Sequence, residues 1–143
     1  MPDPRMTIRS YAPADEASVV RLWQRCNLAR PQNDPHRDIA RKMKVNPELF
    51  LVGTIDGKVI ATVMGGYEGH RGWVNYLAVD PDYQGNGYAR QLMDAVEQKI
   101  RALGAAKINL QVRNDNLKAL GFYEAIGYSV DPATSMGKRL VKD

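Results

Sequence analysis

The stretch from Trp73 to Leu103 constrains this chain more than any other. It opens on a short apolar run, Trp73 to Val79, and turns at Asp80-Pro81-Asp82-Tyr83. It then passes through Gln84-Gly85-Asn86-Gly87-Tyr88-Ala89-Arg90 into an amphipathic segment ending near Leu103. The pattern predicts strand, turn, glycine-bearing loop and helix. Such a loop leaves backbone N–H groups at the start of a helix, aimed beyond the strand end. Geometry and helix dipole together make that an anion site.

Three phosphate-binding patterns compete for the loop. A Walker loop closes on Lys-Ser or Lys-Thr, whereas Gly87 is followed by Tyr88-Ala89-Arg90. A dinucleotide fingerprint needs a small third residue and an acid about twenty positions on. Here the third place is Arg90, and the later region reads Leu110-Gln111-Val112. The third pattern, Gln-x-x-Gly-x-Gly/Ala, is matched by Gln84, Gly87 and Ala89. That loop, with Leu77-Ala78-Val79-Asp80-Pro81 before it and Tyr83 next to Gln84, resembles the pyrophosphate loop of the GNAT superfamily of acetyl-CoA-dependent N-acetyltransferases. A second stretch, from Asn116 through Ala119 to Tyr123-Glu124 and Gly127-Tyr128, resembles the family's second cofactor segment. The specific likeness runs from about Leu77 to Tyr128. Within the family it is similar to the small bacterial YpeA-like enzymes, near the RimI-like ribosomal-protein acetyltransferases.

A chain of 143 residues suits one domain, expected to span residues 1–143. With 44% hydrophobic and 25% charged residues it reads as a soluble protein. No apolar run is long enough to span a bilayer, and Met1-Pro2-Asp3-Pro4-Arg5 lacks a signal-peptide core. The single cysteine, Cys26, cannot pair within the chain, so a reducing cytoplasm is the expected compartment. The net charge is +4, and basic residues sit singly along the chain apart from Arg41-Lys42-x-Lys44 and Lys138-Arg139, without the dense basic stripe of a nucleic-acid binder. Neither nucleic acid nor membrane is expected as a partner. His36 and His70 with one cysteine make no zinc pattern, so no metal is expected.

In order, Thr7 to Tyr11 reads as a strand, and Asp15 as the N-cap of a helix with Val19, Leu22, Trp23 and Cys26 on one face. Asp34-Pro35 opens a second helix carrying Ile39 and Met43 inward. Leu49–Ile55 and Lys58–Glu68 form a hairpin about Asp56-Gly57, completed into a meander by Trp73–Val79. Gly65-Gly66 inside the middle strand suggests either a ligand lying over it or a bulge. The helix from Tyr88 to Leu103 ends at Gly104. A strand over Lys107–Val112 follows, then a helix capped by Asn116 and ending at Gly127. Two closing strands are expected, at Tyr128–Val130 and Ser135–Val141. The order β-α-α-β-β-β-α-β-α-β-β describes an α/β fold with a mixed sheet and agrees with the family.

The resemblance implies a mechanism. Backbone N–H groups of Gly85, Asn86, Gly87, Tyr88 and Ala89, with Gln84, would hold the pyrophosphate of acetyl-CoA. Its pantetheine arm would lie along Leu77, Ala78 and Val79 as an added strand, in a V-shaped opening between that strand and Ile108–Val112. An N–H near Leu77 would receive the oxyanion. Tyr123 would be the general acid for the departing thiolate, and Asn116 a further cofactor contact. Arg30, His36 and Arg37 would face the acceptor. The general base is less evident, because relatives near RimI carry glutamate where this chain has Gln111. Glu68, or water ordered by Asn75 or Tyr76, are the candidates. The implied function is acetyl transfer from acetyl-CoA to a primary amine in a ternary complex. The alternatives are a non-catalytic acyl-CoA-binding module and a nucleotide-binding protein. Strand-exchanged or edge-paired dimers are common in the family, which leaves room for a homodimer.

Overall fold

The computed structural model describes residues 5–143, so the reading of Met1–Pro4 as free of a signal core lies outside the described residues. The chain divides into two compact units, one ending at Leu110 and the other spanning Gln111–Asp143. The first holds a five-stranded sheet whose spatial order follows the sequence: β1 (Thr7–Ser10), β2 (Phe50–Ile55), β3 (Lys58–Tyr67), β4 (Gly72–Val79) and β5 (Ile108–Leu110). The first four strands are antiparallel and β5 joins β4 in parallel. Helices α1 (Glu16–Arg25), α2 (Pro35–Lys42) and α3 (Tyr88–Ala102) complete this unit. The second unit contains α4 (Leu117–Ala125).

Local chemistry accounts for most of these elements. Asp56 (φ 51°) and Gly57 (φ 78°) both take the left-handed conformation, as a two-residue turn between Ile55 and Lys58 demands. Asp34 caps α2 by accepting from the backbone N–H groups of His36 (2.9 Å) and Arg37 (3.3 Å). Asp15 behaves differently from its expected role. It closes a 3-10 turn over Pro13–Asp15, and its side chain makes no cap bond to α1. Its carboxylate instead accepts from the Ala12 N–H (2.9 Å) and pairs with both terminal nitrogens of Arg9 (2.8 and 2.9 Å). A fork-shaped cation on the preceding strand outcompetes the helix's own amides.

The sheet is covered on both faces, which is why every residue of β2 is buried. On one face Trp23 of α1 donates its Nε1–H to Thr62, and Met64, Phe50 and Ile39 join the same cluster. On the other, α3 lies so close to β3 that a Cβ on Gly65 would sit 2.5 Å from Val96 Cγ2. Gly72 is pressed equally by Ile100. The glycine at position 65 therefore marks neither a ligand nor a bulge. It lets a helix approach the strand.

Two expectations change. The strand expected at Lys107–Val112 shortens to Ile108–Leu110. The two closing strands are absent: residues 126–143 carry no strand. Tyr128–Val130 is too short a run before Pro132 to hold a ladder. From Ser135 to Val141 the apolar residues Met136, Leu140 and Val141 lack the period of two that would bury one face, and all three are exposed. Leu103, the expected last residue of the helix, is the C-cap just past the end of α3 and is exposed as well.

Candidate active site

Strand β4 is where the sheet stops being regular. Its pairing with β3 shifts between Thr62↔Ala78 and Met64↔Asn75, so β4 carries one extra residue. Tyr76 lies in this bulge with φ 53°, a conformation that aromatic residues rarely take. Three contacts hold it there. The Thr62 hydroxyl donates to the Tyr76 carbonyl (2.9 Å) while accepting from Trp23 Nε1 (2.9 Å). The Tyr76 ring stacks on Trp23, with centroids 3.8 Å apart. Its hydroxyl donates to Asp38 Oδ2 at 2.6 Å.

Beyond the bulge the backbone groups alternate sides. The Asp80 N–H donates to Ile60 O (2.8 Å), and Ala78 is registered with Thr62. Residues 78 and 80 therefore address β3, while Leu77 and Val79 address the opposite edge. On that edge β5 pairs only with Gly72, Trp73 and Val74. The parallel pairing ends there, and the Leu77 and Val79 peptide groups lie beyond the last pair. The Val79 carbonyl is already occupied, accepting from Gln84 Nε2 (2.9 Å) and facing Cys26 Sγ (3.3 Å).

The glycine loop follows directly. Gly85 (φ 84°) and Gly87 (φ 83°) are both left-handed, and side chains would be strained at either. Residues 84–87 are exposed. Asn86 Nδ2 donates back to Tyr83 O (3.0 Å), and Asp80 accepts from the Asp82 N–H (2.9 Å), so the loop is braced from within. Gly87 is the N-cap residue of α3, and no side chain caps the helix. Tyr88 is buried and anchors the helix start. The positive end of a four-turn dipole thus opens at an exposed, glycine-lined loop, an arrangement suited to a phosphate.

The second unit carries the other two predicted residues. Asn116 caps α4, its Oδ1 accepting from the Ala119 N–H (3.1 Å). Tyr123 lies about two turns into the same helix, edge-on to Phe122 and Tyr128. Burial pushes its phenol up to about 12. Gln111 lies just past β5 and donates through Nε2 to Ser135 Oγ.

Glu68 is placed as a turn residue. Its Oε1 accepts from the N–H groups of Arg71 and His70, which hold its pKa below the ordinary carboxylate value. That occupation weakens it as a base. His36 faces Glu16 (2.6 Å), Arg37 faces Asp34, and both are exposed, as is Arg30. Sequence reasoning missed Thr62 and Asp38. Thr62 had a signal: it is the one hydroxyl in the apolar run Val59 to Met64. Asp38 had none, since a helical acid looks like any solvated residue.

A family model described as the acetyltransferase (GNAT) family matches residues 16–128. The chain belongs to this family. An N-acetyltransferase of Yersinia pestis is 46% identical over 138 residues, covering 96% of this chain and 98% of that one. Among solved structures, Ard1 from Thermoplasma volcanium matches with a TM-score of 0.81 and 28% identity, over 89% of this chain and 84% of its own. The ribosomal-protein-S18-alanine N-acetyltransferase from Escherichia coli matches with a TM-score of 0.71 and 27% identity, over 85% and 76% respectively. The protein is accordingly a GNAT acyltransferase enzyme with the family's mixed α/β fold. That places it among enzymes rather than non-catalytic modules. No helix among the described residues is long and apolar enough to cross a membrane.

Proposed function

We propose that this acetyltransferase moves the acetyl group of acetyl-CoA to a primary amine by direct attack, with both substrates bound at once. The observation that carries this reading is the exposed α3 N-terminus, opened by two left-handed glycines beside the β4 edge that holds Leu77 and Val79. The loop Gln84–Ala89 holds the pyrophosphate through main-chain N–H groups. The pantetheine lies along β4 near Leu77, Ala78 and Val79, and Asn116 supplies a further cofactor contact. Because the Val79 carbonyl is engaged by Gln84, the remaining edge groups of Leu77 and Val79 do the pairing.

The Leu77 N–H receives the oxyanion, positioned by the bulge at Tyr76. Tyr123 protonates the departing sulfur. At about 12 its phenol is a weaker acid than a free tyrosine. It therefore stays protonated through the neutral range and holds its proton ready for the more basic thiolate as it departs. Direct attack suits Cys26, whose thiol faces the Val79 carbonyl and is pushed up by burial, which makes it a poor acyl-carrying nucleophile. The family match runs from 16 to 128, across the division at Leu110, which supports reading the chain as one catalytic domain. The Escherichia coli neighbour, named for N-acetylation of an alanine of ribosomal protein S18, supports a primary amine as the acceptor class.

The test is CoA release from acetyl-CoA with a panel of amines: a peptide N-terminus, lysine and a polyamine. Release that saturates with one of them supports the reading. Tight acetyl-CoA binding with no release for any member would overturn it.

A further inference from the structure

We propose that Tyr76 and Asp38 form the site that receives the acceptor's nitrogen and takes its proton. The inference rests on the transferase reading above. An amine that is protonated at neutral pH must lose a proton before it can attack. Glu68 is engaged by its own turn, and Gln111 has no basic group. Another carboxylate of the first unit is tied directly to the β4 bulge. Asp38 of α2 accepts the Tyr76 hydroxyl on Oδ2 at 2.6 Å and Arg41 Nη1 on Oδ1 at 3.1 Å, so its plane is fixed from both sides. Its side chain is 22% exposed, which leaves it within reach of a solute.

The placement of Tyr76 is the stronger part of the case. A left-handed aromatic residue is strained and persists only where its surroundings impose it. Here Trp23 covers its ring and Thr62 pins its carbonyl. The consequence is that the phenol and the next peptide N–H, that of Leu77, are fixed relative to one another. If the oxyanion forms at Leu77, the nearest fixed proton acceptor along the chain is the Tyr76 oxygen, with Asp38 behind it.

The step balances without any further reagent. The ammonium first gives one proton to the Tyr76 oxygen while the Tyr76 hydroxyl proton passes to Asp38 Oδ2. The neutral nitrogen then bonds to the acetyl carbon and the carbon–sulfur bond breaks; the sulfur takes a proton from the general acid, and the proton the nitrogen loses as the amide forms restores that acid through solvent. Asp38 ends as a neutral acid and returns its proton to water after product leaves.

The competing account is a strut that only ties α2 to β4. Two amines of nearly equal size separate the two accounts. Ethylamine is an ammonium ion at neutral pH, whereas trifluoroethylamine is already neutral and needs no deprotonation. CoA release by the full chain is measured with each, for the unmutated protein and for Asp38→Asn and Tyr76→Phe, with acetyl-CoA affinity as a check on folding. Both variants should slow transfer to ethylamine about 100-fold, and transfer to trifluoroethylamine by less than about threefold. Equal slowing with both amines, or none with ethylamine, would overturn the inference. So would an unmutated protein active on the wider amine panel yet inactive with ethylamine. Inactivity with every amine would instead remove the transferase reading beneath it.

Discussion

Thr62 is a small residue on which both stability and catalysis should depend. It is fully buried, and its hydroxyl serves two partners at once, accepting from Trp23 Nε1 and donating to the Tyr76 carbonyl. Thr62→Val keeps the shape and removes both bonds. A buried polar group left without its partner costs about 1–3 kcal/mol. The indole N–H should bear the full penalty, because Trp23 is completely buried. The Tyr76 carbonyl is only partly buried and should bear less. The sum is about 2–4 kcal/mol, a large share of the roughly 5–15 kcal/mol that holds a domain together. Thr62→Ser is the control: it keeps the hydroxyl and loses a methyl group, for about 1 kcal/mol. Urea unfolding, with the slope checked for constancy, measures both. The valine variant should also lose turnover beyond what its folded fraction explains, because the bulge that sets the Leu77 N–H would relax. A valine variant as stable as the serine one would refute the account of the bulge given above.

Other expectations follow from single groups. Gly87→Glu puts a side chain at φ 83° and a negative charge at the α3 dipole's positive end; acetyl-CoA affinity by calorimetry should drop at least about 100-fold while the fold survives. Unchanged affinity would remove the pyrophosphate assignment. Tyr123→Phe should lower kcat by about 10- to 100-fold with little change in acetyl-CoA affinity. With its phenol near 12, Tyr123 should cause no alkaline loss of rate below about pH 10. The Asp15 carboxyl is held below its ordinary value chiefly by its hydrogen bonds to Arg9. Its stabilising effect is therefore complete above the unfolded pKa of about 4 and drains away as pH falls toward the folded value. Melting temperature followed from neutral to acid should fall less steeply for Asp15→Asn than for the unmutated chain. Gly65→Ala should cost about 1–3 kcal/mol by overpacking against Val96, and Val96→Ala in the same chain should recover part of it.

Much of this molecule is written locally. The Asp56-Gly57 turn, the Asp34-Pro35 start of α2 and the glycine pair before α3 each depend on backbone preferences of a few adjacent residues. They stand in the structure where the sequence puts them. The pairing of a Gln-x-x-Gly-x-Ala loop with the Asn116–Tyr128 segment also sufficed for the family. What is read from neighbours along the chain needs no knowledge of the fold.

The remainder depends on which elements the fold brings together. Asp15 looked like a helix cap until Arg9 on a neighbouring strand claimed its carboxylate. Gly65 looked like a bulge or a ligand seat until α3 came to rest on it. The closing strands failed because a short or aperiodic run cannot create a buried face by itself. Most consequential is the bulge at Tyr76, made by Thr62, Trp23 and Asp38, which lie 14, 53 and 38 positions away. Composition and spacing determined that this chain carries an exposed, glycine-lined helix start and which family it joins. Tertiary packing alone decided how β4 bends, because a strained backbone is held by contacts that no local stretch contains.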